Sequence, residues 1–188
     1  MIEIRIHGRG GQGAVIASKL LASAFFKEGK YVQSFPTFGV ERRGAPVAAF
    51  VRVDGEPILV RSQIYEPDHI IVLDPTLIEA VDVTHGLKSG GWILINTARD
   101  PEEFKELGEF HVATVDASGI AVRHRLGSKT HPIVNTAIMG AFARVTGLVQ
   151  LDSILEAIDE EVPIAPDRNR KAAQEAFQQV KLTEPVAG

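Results

Sequence analysis

The sequence predicts an α/β protein. The expected architecture is a three-layer, Rossmann-like fold with a mixed, mainly parallel sheet, one β-hairpin and extra C-terminal helices. Three observations lead there. Strand-like and helix-like segments alternate from the first residues, the pattern of a sheet with helices on both faces. A glycine cluster, Gly8 to Gly13, separates the first strand from the first helix. The later strands read as short continuous apolar runs, as strands covered on both faces do.

Ile2, Ile4 and Ile6 alternate with Glu3 and Arg5, which predicts the first strand. Ala14 to Glu28 predicts the first helix: Ala17, Leu20, Leu21, Ala24 and Phe25 recur on one face, and Lys27, Glu28 and Gly29 close it. Tyr31 to Phe35 predicts a second strand. Pro46 to Val53, the turn Asp54-Gly55 and Pro57 to Val60 together predict the hairpin. His69 to Leu73 is a buried strand, followed by Asp74-Pro75 as cap and first turn of a helix. Trp92 to Ile95 and His111 to Val115 are further strands, with an acid-capped helix from Asp100 between them. Pro132 to Thr146 is an apolar helix ending at Gly147. Amphipathic helices follow near Ser153–Glu160 and Asp167–Val180, with no strand after them.

The chain has 188 residues, which at ~100–200 residues per domain predicts a single domain over 1–188. It is 45% hydrophobic and 23% charged, so a folded core is the expectation rather than disorder. The net charge of −4 argues against a nucleic-acid binder. No stretch approaches the ~20 apolar residues that span a bilayer. The N-terminus alternates charge and apolar residues rather than forming a leader, so the expected location is cytoplasmic. There is no cysteine, which removes disulfides, thiolate nucleophiles and thiolate-ligated zinc or iron–sulfur clusters from this chain. Among His7, His85, His111, His124 and His131 no metal-ligand spacing is legible, and no Ser-His-Asp arrangement is either. No catalytic or metal-binding residue is therefore predicted.

Gly8, Gly10 and Gly13 satisfy G-x-G-x-x-G in the context of strand, loop and helix. Glycines let backbone N–H groups approach a ligand, and a helix N-terminus offers unpaired donors to an anion. Arg9 could add a charged hydrogen bond to phosphate. A dinucleotide site also needs an acid at the end of the second strand, and Ser34-Phe35-Pro36-Thr37 has none. Three readings stay open here: a phosphate-bearing ligand, a nicotinamide or flavin dinucleotide, or a turn that only packs helix on strand.

The loop after the second strand carries Glu41, Arg42, Arg43 and Gly44, either a second anion clamp or a solvated charged turn. Phe35 and Phe38 could stack on a base or plug the core. Asn135 could reach a ligand at that end of its helix or satisfy backbone groups. Asp74 reads as a cap, and Arg123-His124-Arg125 as a solvated face or a partner contact. Residues 182–188 read as a tail or a subunit contact.

The strings HGRGGQGAV and FPTFGVERRGAPVAAFVR, with HPIVNTAIMGAFA later in the chain, carry a resemblance over nearly its whole length. The sequence resembles the gamma subunit of pyruvate:ferredoxin oxidoreductase and its 2-oxoacid relatives. Val40 departs from the proline that members commonly have before Glu-Arg-Arg. The resemblance implies an enzyme that converts pyruvate and coenzyme A to acetyl-CoA and CO2 and passes electrons to ferredoxin. It implies partners: alpha, beta and delta subunits, with thiamine diphosphate, its magnesium and the iron–sulfur clusters on those other chains. In single-chain relatives the equivalent region is a middle α/β domain implicated in coenzyme A binding and assembly. Carried over from the resemblance, Gly8, Arg9, Gly10, Gly11, Gln12 and Gly13 form the main loop, Glu41, Arg42, Arg43 and Gly44 the second, and Asn135 a third element. The expectation built on them is that they bind the ADP part of coenzyme A and hold its thiol near the neighbouring subunits. The resemblance also implies that the chain is inactive alone. A purely structural assembly subunit is the nearest alternative, and an independent NAD(P)-binding oxidoreductase the next.

Overall fold

The computed structural model describes residues 1–37 and 42–183. Seven strands form one sheet in the order β2-β3-β1-β4-β5-β6-β7. Strand β1 (Ile2–Arg9) lies at its centre, beside β4 (His69–Val72), β5 (Trp92–Asn96) and β6 (His111–Val115), all parallel. On its other side β3 (Pro46–Asp54) runs antiparallel to β1, and β2 (Tyr31–Pro36) antiparallel to β3. Strand β7 (Lys181–Leu182) closes the far edge, antiparallel to β6. The sheet is mixed, as expected.

Alternation along β1 sets the layers. Ile4 and Ile6 are fully buried on one face, where they meet α1 (Ala14–Lys27) and its Ala17, Leu21 and Phe25. Helices α3 (Ala117–Arg123), α4 (Ala137–Thr146), α5 (Leu151–Glu161) and α6 (Pro166–Gln179) complete that layer. Helices α4 and α6 touch backbone to backbone. A Cβ on Gly140 would sit 1.9 Å from the Ala173 carbonyl oxygen, so only glycine allows this approach. The opposite face is thinner. Ile70, Val72, Ile93 and Ile95 pack there under Leu77 of α2 (Leu77–Ala80) and Phe104 of a 3-10 helix (Pro101–Leu107).

The expected hairpin is placed differently. Strand β3 already has β1 on one side and β2 on the other, so no edge remains for residues 57–60. That segment crosses the second face of the sheet as irregular chain. Gln33 Nε2 donates to the Ile58 and Val60 carbonyls at 3.4 and 2.9 Å, and Arg52 Nη2 donates to the Ser62 carbonyl at 2.7 Å. The true hairpin is β2–β3.

Three other boundaries differ from expectation. The apolar helix begins at Ala137, not Pro132, because Gly127 and Pro132 pair in a small antiparallel bridge that holds the chain extended. A strand does follow the helices: β7 pairs with β6 and Thr183 Oγ1 accepts from the Val112 N–H at 3.1 Å. Asp74 is not the N-cap of α2; Thr76 is, and Asp74 organises a turn before it. Helix α3 had no counterpart in the sequence reading.

Candidate functional site

In an open α/β sheet the ligand crevice lies outside the carboxyl ends of the strands, where successive connections leave for opposite faces. That place is between β1 and β4 here. Helix α1 leaves β1 for the thick layer and α2 leaves β4 for the thin one. A cleft of about 420 Å³ opens there, lined by Gly11, Gln12, Gly13, Asp74, Asn96 and Asn135 among others.

The two predicted loops meet at its rim. Strand β2 points the same way as β1, so the loop after it reaches the same edge. The Gly10 N–H donates to the Ala45 carbonyl at 2.9 Å and the Gly44 N–H donates to the Gly10 carbonyl at 3.0 Å. The backbones touch: a Cβ on Gly10 would lie 2.1 Å from the Arg42 carbonyl oxygen. Arg42 and Arg43 are exposed beside this crossing, and the Arg43 stem lies over Gly11. The predicted residues Phe38, Val40 and Glu41 lie outside the described residues, as does the chain beyond Thr183.

Arg9 and Gln12 make internal bonds. Arg9 Nη1 donates to the Gly44 carbonyl at 3.0 Å and Nη2 to Thr76 Oγ1 at 2.9 Å, with Nε 3.4 Å from Asp74 Oδ2. Gln12 Oε1 accepts from the Arg9 N–H and Gln12 Nε2 donates to Asp74 Oδ2, both at 2.7 Å. Asp74 Oδ1 accepts from Thr76 N and Oγ1. Burial alone would raise the Asp74 pKa. The hydrogen bonds from Thr76 and Gln12 and the Arg9 charge outweigh it and hold the carboxyl below its usual value. Asp74 is thus a fixed anion that clamps the glycine loop.

Helix α1 begins just beyond. Gly13 takes the left-handed conformation (φ 80°) and gives no side-chain cap, so the first-turn N–H groups of α1 are free of one. Asn135 packs on Gly13, where a Cβ would lie 2.6 Å from its Nδ2. It is 6% exposed, and its Oδ1 has no hydrogen-bond partner among the described residues. Asn96 Nδ2 ties the Leu73 carbonyl to Ser118 Oγ at 2.9 and 3.0 Å, fixing the cleft floor.

The structure therefore gathers Gly8 to Gly13, Arg42, Arg43, Gly44 and Asn135 at one edge. Sequence reasoning missed Asp74 as a clamp and did not name Thr76, Asn96 or Ser118. The available signal was position, since each stands at or just past the carboxyl end of a parallel strand. The geometry also weighs against a nicotinamide dinucleotide. Such a site takes its ribose acid from the parallel strand next to β1. Here the strand that follows α1, β2, is separated from β1 by antiparallel β3 and ends at Pro36 with no acid.

A glycine loop and an uncapped helix N-terminus at a switch point make this an open α/β domain whose geometry can hold an anion at that edge. Residues 3–179 match the family described as pyruvate ferredoxin/flavodoxin oxidoreductase, and the chain belongs to that family. It is 57% identical over 190 residues to the pyruvate/ketoisovalerate oxidoreductases common subunit gamma of Thermococcus kodakarensis, covering 98% of this chain and 100% of that one. It is 53% identical over 182 residues to pyruvate synthase subunit PorC of Methanothermobacter marburgensis, covering 96% and 98%. The crystal structure of pyruvate oxidoreductase subunit PORC from Thermotoga maritima superimposes with a TM-score of 0.83 at 37% identity, over 97% of this chain and 98% of that one. No helix among the described residues is long and apolar enough to cross a membrane.

Proposed function

We propose that this chain, the gamma subunit of a pyruvate (2-oxoacid):ferredoxin oxidoreductase, binds coenzyme A at the switch-point cleft and presents its thiol to the neighbouring subunits. Residues 1–188 act as the single domain that does this, in the cytoplasm. The diphosphate of coenzyme A sits at the N-terminus of α1, where the first-turn N–H groups and the helix dipole favour negative charge. Arg42 and Arg43 reach it from the second loop. Gly13 and Asn135 form the wall beside it, and Arg9, Gln12 and Asp74 hold the loop in shape. One observation carries the reading: the uncapped start of α1 lines the cleft, beside the crossing where the backbone of exposed Arg42 and Arg43 packs against the glycine loop.

The chain contains no cysteine, so it offers no thiolate to an iron–sulfur cluster. In this reading the clusters, thiamine diphosphate and its magnesium belong to the alpha, beta and delta subunits, and ferredoxin meets the complex there. Thiamine diphosphate supplies the carbanion chemistry on 2-oxoacids. This chain orients the acceptor thiol and excludes water around it.

A second reading has support in one observation. Gly10, Arg9 and Gln12 all make contacts inside the chain, so the loop is a braced surface that a purely structural assembly subunit could pack against a partner. Arg42→Ala and Arg43→Ala in the assembled enzyme separate the two. Coenzyme A binding predicts a KM for coenzyme A raised tenfold or more with assembly intact. An unchanged KM in both variants refutes it and leaves the loops to assembly.

A further inference from the structure

The run Pro57 to Val60 has the composition of a strand but no strand beside it. Its inward carbonyls are met by side chains instead. Gln33 Nε2 reaches those of Ile58 and Val60, and Arg52 Nη2 reaches that of Ser62. Carbonyls of alternate residues facing one way are the mark of extended backbone. The backbone groups of Leu59 and Arg61 therefore face away from the sheet. Among the described residues, 56–66 make no backbone–backbone hydrogen bond at all. Leu59 is 85% exposed and Val60 42%. Glu3, Arg52 and Gln33, in register across β1, β3 and β2, hydrogen-bond to one another and hold the segment from below. A strand-forming run is thus held in place with one hydrogen-bonding edge and its apolar side chains open, and such an edge recognises another extended backbone. The flanking charges select which one. Glu56 stands at one end and Arg61 at the other, both exposed, and neither is in an ion pair among the described residues. Antiparallel pairing of the segment with itself sets the acid of each copy beside the arginine of the other, whereas parallel pairing would set like charges side by side. The segment is its own complement, as a two-fold interface requires.

We infer that residues 57–61 pair with the same residues of a second copy of this chain, antiparallel about a two-fold axis at Leu59. The outward backbone groups fix the register. The two Leu59 residues exchange both of their backbone bonds, and the Arg61 N–H of each copy donates to the Pro57 carbonyl of the other, about four hydrogen bonds in all. Pro57 offers only a carbonyl, which suits the first residue of a strand. Leu59 and Val60 are covered, and Glu56 of each copy lies beside Arg61 of the other. The copies meet on the thin face near the amino end of β1, so the cleft at its carboxyl end stays open. The contact is small, which makes it a reversible association.

The chain has no cysteine, so one introduced thiol reports this contact. In the inferred pair the two Leu59 Cα atoms stand about 5.5 Å apart, within the reach of a disulfide. Leu59→Cys, oxidised with diamide, is expected to link two copies of this chain, both as the isolated full chain and in the assembled enzyme. Phe26→Cys, at a site 68% exposed on α1, is expected to remain unlinked. Sedimentation equilibrium of the full chain reads the charges. Arg61→Glu or Glu56→Arg alone is expected to weaken dimerisation about tenfold or more, because two contacts turn from attractive to repulsive. The double exchange Glu56→Arg, Arg61→Glu is expected to restore it. A parent that stays monomeric at every concentration, equal cross-linking at both cysteines, or single charge variants that associate like the parent overturns the inference. A Leu59→Cys link to a different subunit in the assembled enzyme also overturns it and assigns the segment to that subunit. None of these outcomes bears on coenzyme A binding.

Discussion

Substituting Gly10 by alanine tests how the two loops of the cleft are held. The added Cβ would lie 2.1 Å from the Arg42 carbonyl oxygen and 3.2 Å from the Arg43 Cα, both backbone atoms with no side-chain rotamer to turn away. The loops must therefore part. Parting them breaks the Gly10 N–H bond to Ala45 and the Gly44 N–H bond to Gly10. At about 1 kcal/mol net for each, the loss is about 2 kcal/mol. For a protein of this length that lowers Tm by about 4–8 °C. Gly11→Ala is the control. Its φ of 92° is also awkward for alanine, but its Cβ meets only the Arg43 Cγ at 3.9 Å, so strain arises without separation of the loops. Thermal unfolding of the two variants, with the KM for coenzyme A of the assembled enzymes, gives the comparison. Gly10→Ala should lose both stability and coenzyme A affinity, and Gly11→Ala mainly stability. A Gly10→Ala protein that melts within about 1 °C of the parent would show that the backbones do not touch, and the bracing argument would fail.

Asp74→Ala removes the acceptor shared by Gln12, Thr76 and Arg9 and should cost about 1–2 kcal/mol, with KM for coenzyme A rising as the glycine loop loosens. Urea unfolding and steady-state kinetics read the two effects, and a stable variant with unaltered KM would count against the clamp. Arg52, 1% exposed, donates to Glu3, Gln33 and the Ser62 carbonyl, so Arg52→Leu should cost about 3 kcal/mol and open residues 58–63 to limited proteolysis. Protection equal to the parent's would contradict that anchoring role.

Burial, and secondarily the Arg5 charge, pushes the His7 pKa down to about 4. The folded state therefore binds a proton less readily than the unfolded chain. The stabilisation is complete above the unfolded value near 6.5 and is lost as pH falls toward 4, about 3 kcal/mol in all. In the fold His7 Nε2 accepts from Arg5 Nε at 3.0 Å, which requires the neutral ring. His7→Gln keeps an acceptor and removes the titration, so its stability between pH 7 and 4 should fall less steeply than the parent's. Parallel slopes would assign the acid sensitivity to other groups.

The class of fold was legible because the central strands obey local rules. The apolar runs at 69–73, 92–95 and 111–115 correspond to β4, β5 and β6, and the glycine cluster marks where β1 gives way to α1. The errors have one physical origin. Asp54-Gly55 is a genuine turn signal, and Gly55 N–H does bond to Asp54 Oδ1. Yet a turn only reverses the chain; whether the returning segment pairs depends on whether an edge is free. Strand β2, distant in local pattern, had taken that edge. The same holds for β7, whose Lys181 and Leu182 are exposed and carry no strand signature. Their pairing is dictated by the open edge of β6.

The site divides along the same line. Gly8 to Gly13 could be nominated from spacing because a glycine motif encodes backbone freedom within a few residues. What that freedom serves is not local. At Gly10 it admits the backbone of Arg42, and at Gly13 it admits the side-chain amide of Asn135, more than a hundred residues away. From sequence Asp74 reads as a cap because an Asp-Pro pair before a helix usually is one. Its carboxylate instead bonds to Gln12 and lies beside Arg9, which only the parallel pairing of β1 with β4 brings within reach. The sheet register thus turns three separate sequence signals into one rigid rim. Because that rim is braced by internal bonds, the groups that the proposed ligand would meet are the ones the bracing does not use: the first turn of α1 and the exposed Arg42 and Arg43.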